Sequence, residues 1–162
     1  DVYKRQRPLF PKDYRNDVTL NNMVMSVDPE CRPEVVGMIG SALVTTMSDI
    51  PFDGPCAMTQ MGMVDGEFIV NPGQADYKVS DLKLTVASTR EKVIMIEAGA
   101  NEIPEAKMIE AIYKAHEVNQ EIIKFIDQIV QKLFHGTCRK NTDCRYRTCS
   151  ETGQWCCSYA LW

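Results

Sequence analysis

Hydrophobic and polar positions along this chain change period repeatedly, and each change marks a predicted element. Val18 to Val27, VTLNNMVMSV, alternates, with Val18, Leu20, Val24 and Ser26 on one face and Met23, Met25 and Val27 on the other. Apolar residues on both faces predict a strand that is largely buried. Val36, Ile39, Leu43 and Met47 then recur at spacings of three and four, which predicts a helix from Pro33 to about Ser48. Pro33 suits a first helical turn, and Glu34 puts negative charge near that terminus. Gly37, Gly40, Ser41 and Ala42 leave room for a sheet to approach. Asp49 to Pro55, shaped by Pro51, Gly54 and Pro55, is a predicted loop.

Beyond the loop the period returns to two. Met58 to Val64 and Glu67 to Val70 flank Asp65-Gly66, a dipeptide that favours the tight turn of a hairpin. Asn71-Pro72-Gly73 ends the hairpin. Leu82, Leu84 and Val86 alternate with Lys83 and Thr85 as a half-buried strand, and Lys92 to Glu97, KVIMIE, reads as a buried one. The strands together predict a mostly antiparallel meander. After Asn101 to Pro104, Ile109, Ile112, Ala115, Ile122, Ile126, Ile129 and Leu133 form the stripe of a long helix reaching about Phe134. His116 lies near its apolar side, where a lone histidine is a packing residue by default. Upstream, Arg7-Pro8-Leu9-Phe10-Pro11 has two prolines that force an extended path without helix. The order is β-α-β-β-β-β-α, an α+β fold with a helix-backed antiparallel sheet.

Composition adds bounds. At 162 residues, 44% hydrophobic and 25% charged, the chain suits one ordinary domain and excludes wholesale disorder. A net charge of -4 argues against a surface that is basic throughout, while leaving room for a local basic patch. No apolar run is long enough to cross a membrane, and DVYKRQRPLF has no apolar core of a signal peptide. Cys31 and Cys56 stand alone in the first 137 residues, the pattern of a reduced, cytosolic body. Cys138, Cys144, Cys149, Cys156 and Cys157 crowd the last 25, which taken alone reads as a secreted disulfide framework.

Local motifs carry little chemistry. The chain has no phosphate-cradling glycine loop ending in Gly-Lys, no H-E-x-x-H pair and no G-x-S-x-G elbow. Asp49, Asp53, Asp65 and Glu67 are loop carboxylates whose spacing demands no metal. Composition and spacing stop at a soluble α+β domain.

Longer segments go further. RPLFPKDYRNDV, SVDPE, VGMIGSALVTTMSDIPFDGP, VNPG and LKLTVAST, in this order from Arg7 to roughly Val130, closely resemble the first RNase PH-like core of the polynucleotide phosphorylases. The resemblance implies an RNase PH-like (ribosomal protein S5 domain 2-like) sheet backed by helices, incomplete at the N-terminus. It implies a parent enzyme that degrades RNA from the 3′ end by attack of inorganic phosphate and releases nucleoside diphosphates. That parent is a cytoplasmic homotrimer, with no membrane partner, using Mg²⁺ or Mn²⁺. The metal and the catalytic groups belong to a second core: a phosphate-binding serine-rich loop, two aspartates and a lysine. Here Tyr77 and Lys83 stand where the aspartates would be, and Thr85 where the lysine would be. Divalent magnesium wants hard oxygen ligands, usually carboxylates, so neither a catalytic residue nor a metal ligand is assigned in this segment. The acidic helix start, Pro33-Glu34, disfavours bound phosphate as well.

What the resemblance leaves to this core is scaffolding and RNA guidance. Arg7 matches an arginine near the channel through which RNA reaches the active core, and its guanidinium suits phosphate; a structural pairing at the sheet edge is the alternative. Arg15 is a weaker candidate of the same kind. A stand-alone RNA-binding or ring-scaffold subunit of an exosome-like assembly is the second functional reading. Three segments are expected: 1–6, where DVYKRQ reads as adapter-derived; 7–134, the partial core; and 135–162, the Cys-rich tail. The tail reads as a frameshifted or chimeric end, or as a C-x5-C-x4-C-x6-C-C module, and its five cysteines leave one unpaired. A paired C-x-x-C for zinc is missing from it.

Overall fold

The computed structural model describes residues 6–137 and 155–160. A single 3-10 turn over Arg7–Leu9 opens the described chain, followed by β1 (Val18–Met23), α1 (Pro33–Met47), β2 (Ala57–Val64), β3 (Glu67–Val70), α2 (Gln74–Val79), β4 (Leu82–Ser88), β5 (Val93–Ala100), α3 (Glu105–Thr137) and β6 (Trp155–Ala160). Four strands form one antiparallel sheet in the order β3-β2-β4-β5, and β1 pairs in parallel with β6 alone. The α+β reading holds. The proposed boundaries of the end segments, and both readings of the tail, rest largely on residues outside those described.

The β2–β3 hairpin forms where Asp65-Gly66 allows it. Both residues have positive φ, 52° and 84°, and Gly66 takes this conformation without the strain a side chain adds. Asn71, also at positive φ, closes the hairpin's far end: its Oδ1 accepts the Gln60 N–H at 3.0 Å and its own N–H donates to the Gln60 carbonyl at 2.7 Å. The chain then crosses β2 through α2 before entering β4, so the sheet is not a simple meander. The helix over Gln74–Val79 is too short to show a periodic stripe, and it has no buried residue to reveal it.

In α1 the buried stripe is displaced from the predicted one, and in α3 Ala115 and Ile126 of the predicted stripe are buried while its other described positions are not. In α1 the buried positions are Val35, Met38, Gly40, Ser41, Ala42 and Thr45, whereas Val36 is exposed and Ile39 and Leu43 are only half-buried. Burying hydroxyls is possible because Ser41, Thr45 and Thr46 donate to carbonyls four residues back, at 2.8, 2.6 and 2.7 Å. In α3 the stripe runs through Ala111, Ala115, Asn119, Ile123 and Ile126, while Ile109 is exposed and Ile112, Ile122 and Ile129 are half-buried. Small residues sit at the centre because the helix lies close on the sheet, and the larger ones flank it.

Two strands expected to be buried are not. Residues 21–27 are exposed throughout, with Met23 at 62%, because β1 lies outside the main sheet and pairs only with β6. Lys92 to Glu97 lies on the outermost strand: Val93 to Met95 are half-buried and the run from Ile96 onward is exposed. The 3-10 turn at Arg7–Leu9 also departs from the extended path. Pro8 is compatible with it because a first-turn residue needs no N–H partner. No helix among the described residues is long and apolar enough to cross a membrane.

The sheet is covered on both faces. Met61, Met63, Leu82, Leu84 and Val86 pack with Ala111 and Ala115 of α3, and Met58 packs with Val35, Met38 and Ala42 of α1. Ile126 of α3 joins the α1 cluster, so the two helices meet past the sheet's end. Asn119 is fully buried; its Oδ1 accepts from Thr59 Oγ1 at 2.8 Å, and its Nδ2 donates to Val86 O at 3.1 Å and Ser88 Oγ at 3.0 Å. Asn119→Ala leaves these groups buried without partners and is expected to lower the unfolding free energy by about 3 kcal/mol. Urea denaturation measures this, and a loss within experimental error would show the network to be dispensable.

Candidate nucleic-acid interface

Arg7 projects from a turn whose neighbours are firmly rooted. Gln6 and Leu9 are buried, Gln6 Nε2 lies 3.9 Å from Met38 Sδ, and the Leu9 carbonyl accepts the Asp53 N–H at 2.9 Å. Phe10 packs against Phe52 with ring centres 5.3 Å apart and stacks with Tyr14 at 6.1 Å. This fastens the 3-10 turn to the Asp49–Pro55 loop and leaves the Arg7 side chain exposed. Arg15 is exposed in the loop that follows.

Beside this turn lies a groove of about 380 Å³, bounded by Pro8 and Leu9, the Asp53–Pro55 loop and the Thr89–Lys92 turn. Its charge is mixed. Arg90 and Lys92 face Asp53 and Glu91, and the Arg90 Nη2 is drawn to both carboxylate oxygens of Asp127, at 2.6 and 2.7 Å. Arg7 is not among the groove's lining residues, so the two do not form one basic trough.

The second place of interest is the corner where the resemblance puts catalytic groups. Tyr77 of α2 and Lys83 of β4 do come together: Lys83 Nζ is 5.0 Å from the centre of the Tyr77 ring. A third residue, unassigned from sequence, completes the corner. Arg32, just before α1, lays its guanidinium carbon 3.9 Å from the same ring centre. Its Nε and Nη2 donate to Glu34 at 3.1 and 3.0 Å. Burial works against the Arg32 charge, but the interactions with Glu34 and Tyr77 outweigh it and hold its pKa above the usual value. The acidic start of α1 is therefore neutralised by its own neighbour. An arginine two residues before Glu34 was the available signal in sequence, but its aromatic partner is 45 positions away (77 − 32) and only the fold supplies it.

Strand register fixes how the corner meets the sheet. Thr85 pairs with Gln60 and Lys83 with Gly62, so these four share one face. A Cβ on Gly62 would lie 3.0 Å from Ser80 Oγ and 3.1 Å from Pro72 Cγ, so a larger residue there needs those side chains to give way by a few tenths of an ångström. Across β4, Thr85 pairs with Glu97 of β5.

His116 is half-buried and lies 3.3 Å from Gln120 Nε2 through its Nε2. Cys31 is exposed, and burial pushes the Cys56 thiol up to about 12. No group of three or more His, Cys, Asp or Glu side chains that could hold a metal occurs among the described residues.

Residues 54–118 match the 3′ exoribonuclease family, domain 2. Over 132 residues, 82% of its length, the chain is 73% identical to a polyribonucleotide nucleotidyltransferase of Lachnoclostridium phytofermentans, of which it covers 19%. Over 127 residues it is 46% identical to the protein of that name in Staphylococcus epidermidis and 49% identical to polyribonucleotide nucleotidyltransferase 1 of Alkaliphilus metalliredigens, covering 18% of each. The chain thus spans about a fifth of the length of the curated relatives it matches. Lys83 is exposed, and Lys83→Ala is expected to change the unfolding free energy by no more than about 0.5 kcal/mol in urea denaturation. A larger loss would assign the lysine a structural role.

Proposed function

We propose that this chain, whose residues 54–118 belong to the 3′ exoribonuclease family, domain 2, acts as the non-catalytic, RNA-guiding core of a phosphorolytic exoribonuclease. The relatives' name, polyribonucleotide nucleotidyltransferase, supports the parent activity. In that reaction an oxygen of inorganic phosphate forms a bond to the terminal phosphorus of the RNA chain. The bond from that phosphorus to the preceding 3′ oxygen breaks, and a nucleoside diphosphate leaves.

The observation that carries the non-catalytic assignment is the corner at Tyr77, Lys83 and Thr85. A phenol, an ammonium and a hydroxyl offer no pair of carboxylates, and the Lys83 charge repels a divalent cation. These three side chains do not fit Mg²⁺. The parent's metal and phosphate chemistry belongs to its second core, and its working form is a cytoplasmic homotrimer.

RNA guidance is assigned to Arg7. Its rooted turn fixes the backbone, and its exposed guanidinium suits a phosphodiester. Arg7→Ala is expected to weaken binding of single-stranded RNA and to lower the slope of log K against log salt by about 0.7, one phosphate contact. Fluorescence anisotropy at several salt concentrations measures both, and an unchanged slope overturns the assignment. Release of nucleoside diphosphate by the purified chain, abolished by Lys83→Ala, would overturn the non-catalytic reading.

A further inference from the structure

β5 ends the main sheet, and among the described residues its outer edge pairs with no strand. Such an edge presents a row of backbone donors and acceptors, which proteins ordinarily blunt with proline, with lysine or by keeping the strand short. β5 runs for eight residues with neither proline nor lysine, and Glu97 is its one charge. Its exposed part, residues 96–100, ends in Ala-Gly-Ala, whose small side chains let another backbone approach.

Pairing with β4 tells which way each side chain of β5 points. Met95 pairs with Ala87 and Val93 with Ser88, so Ile94 is an extra residue, a bulge. Ile96 pairs with Val86, which packs with Val93 in the cluster under α3, so Val93 and Ile96 share the α3 face. Lys92, Met95 and Glu97 alternate with them on the other face. On the α3 side a hollow of about 310 Å³ opens beside Val93, lined also by Ile109, Ile112, Tyr113 and His116. Ile109, Tyr113 and Ile96 are all exposed around it, Ile96 at 47%.

Two copies joined edge to edge through β5 are related by a two-fold axis normal to the sheet, which makes the strands antiparallel and keeps like faces together. Centred on Met95, with the bulge kept, this sets Met95 opposite Met95, Val93 opposite Ile96 and Lys92 opposite Glu97. The last two pairs each occur twice. Ile96 of each copy then stands over the hollow beside Val93 of the other, and each ammonium meets a carboxylate. Centring on Ile96 instead puts Glu97 opposite Met95, and centring on Glu97 sets two carboxylates against each other. Glu97 is already engaged within its own chain, and an ionised carboxylate has room for a further cation.

We infer that a second copy of this chain adds to β5 in antiparallel register about Met95, giving a two-fold dimer with one continuous eight-stranded sheet. The charge complementarity of the segment with itself selects a second copy over an unrelated strand: with the bulge counted, Lys92 and Glu97 stand equally far from Met95. The inference does not rest on RNA guidance.

The test is sedimentation equilibrium of the full chain with its thiols kept reduced, so that cross-linked cysteines do not contribute. The expected result is a monomer–dimer equilibrium in which the dimer predominates at about 100 µM. Lys92→Glu or Glu97→Lys alone sets like charges opposite each other at two places and should weaken the dimer about tenfold or more. The two reversals together should restore it to within about threefold of wild type. Ile96→Lys should leave a monomer at the same concentration. All three side chains are exposed, so none of these changes removes a core contact. The inference is overturned by a wild-type monomer, by a trimer, by a dimer that either single reversal leaves unchanged, or by a double variant as weak as the single ones. Failure here leaves the salt slope of Arg7→Ala, and with it the RNA-guiding assignment, untouched.

Discussion

The side-chain amide of Asn119 is the joint on which the fold depends. It enters the sheet from the middle of α3 and joins β2 through Thr59 and β4 through Val86 and Ser88. A buried amide satisfied on both its oxygen and its nitrogen strongly specifies geometry, because sliding the helix by one residue would strand all its partners. Apolar packing of Ala111 and Ala115 is less selective, since alanine on a sheet accepts many registers. The amide chooses among them. With α3 placed, Gln120 can donate to the Thr89 carbonyl at 3.0 Å and Asp127 can hold Arg90, which fixes the β4–β5 turn beside the groove.

The opposite face of the sheet follows a different logic. There α1 covers only part of the surface, and past its start the face carries Gln60, Thr85 and Lys83 instead of aliphatic side chains. A polar strip on a sheet face usually means solvent. Here α2 and the residues before α1 bring Tyr77 and Arg32 over it, so the strip becomes a corner with an aromatic floor. A hydroxyl and an ammonium on the strip are met there by a phenol and a guanidinium.

Much of this architecture was legible in the chain. The Asp65-Gly66 hairpin, the alternation of Leu82, Leu84 and Val86, and the helix begun by Pro33 all rest on local rules, and each formed where those rules put it. Faces were less legible. Val36, Ile39 and Leu43 have the helical spacing of a buried stripe, yet Val35, Met38 and Ala42 satisfy the same period one position earlier. Spacing fixes the period of a stripe and leaves its phase to whichever set packs best. Runs such as Val18 to Val27 and Lys92 to Glu97 failed as buried strands for a related reason. Hydrophobicity shows that a strand can be covered, but its position in the sheet determines whether it is.

Sequence by itself determined the local geometry: the Asp65-Gly66 turn, the start of α1 at Pro33, and the absence of carboxylates at positions 77 and 83. These depend on neighbouring residues or on identity at a position. Tertiary structure alone decided what touches what. It rooted the Arg7 turn to the Asp53 loop, separated Arg7 from the Arg90 groove, and carried Arg32 onto Tyr77. Contacts across such separations depend on how α1, α2 and the sheet stack, which no periodicity encodes. The chain names the residues at positions 77 and 83, and only the fold shows that Arg32 joins them.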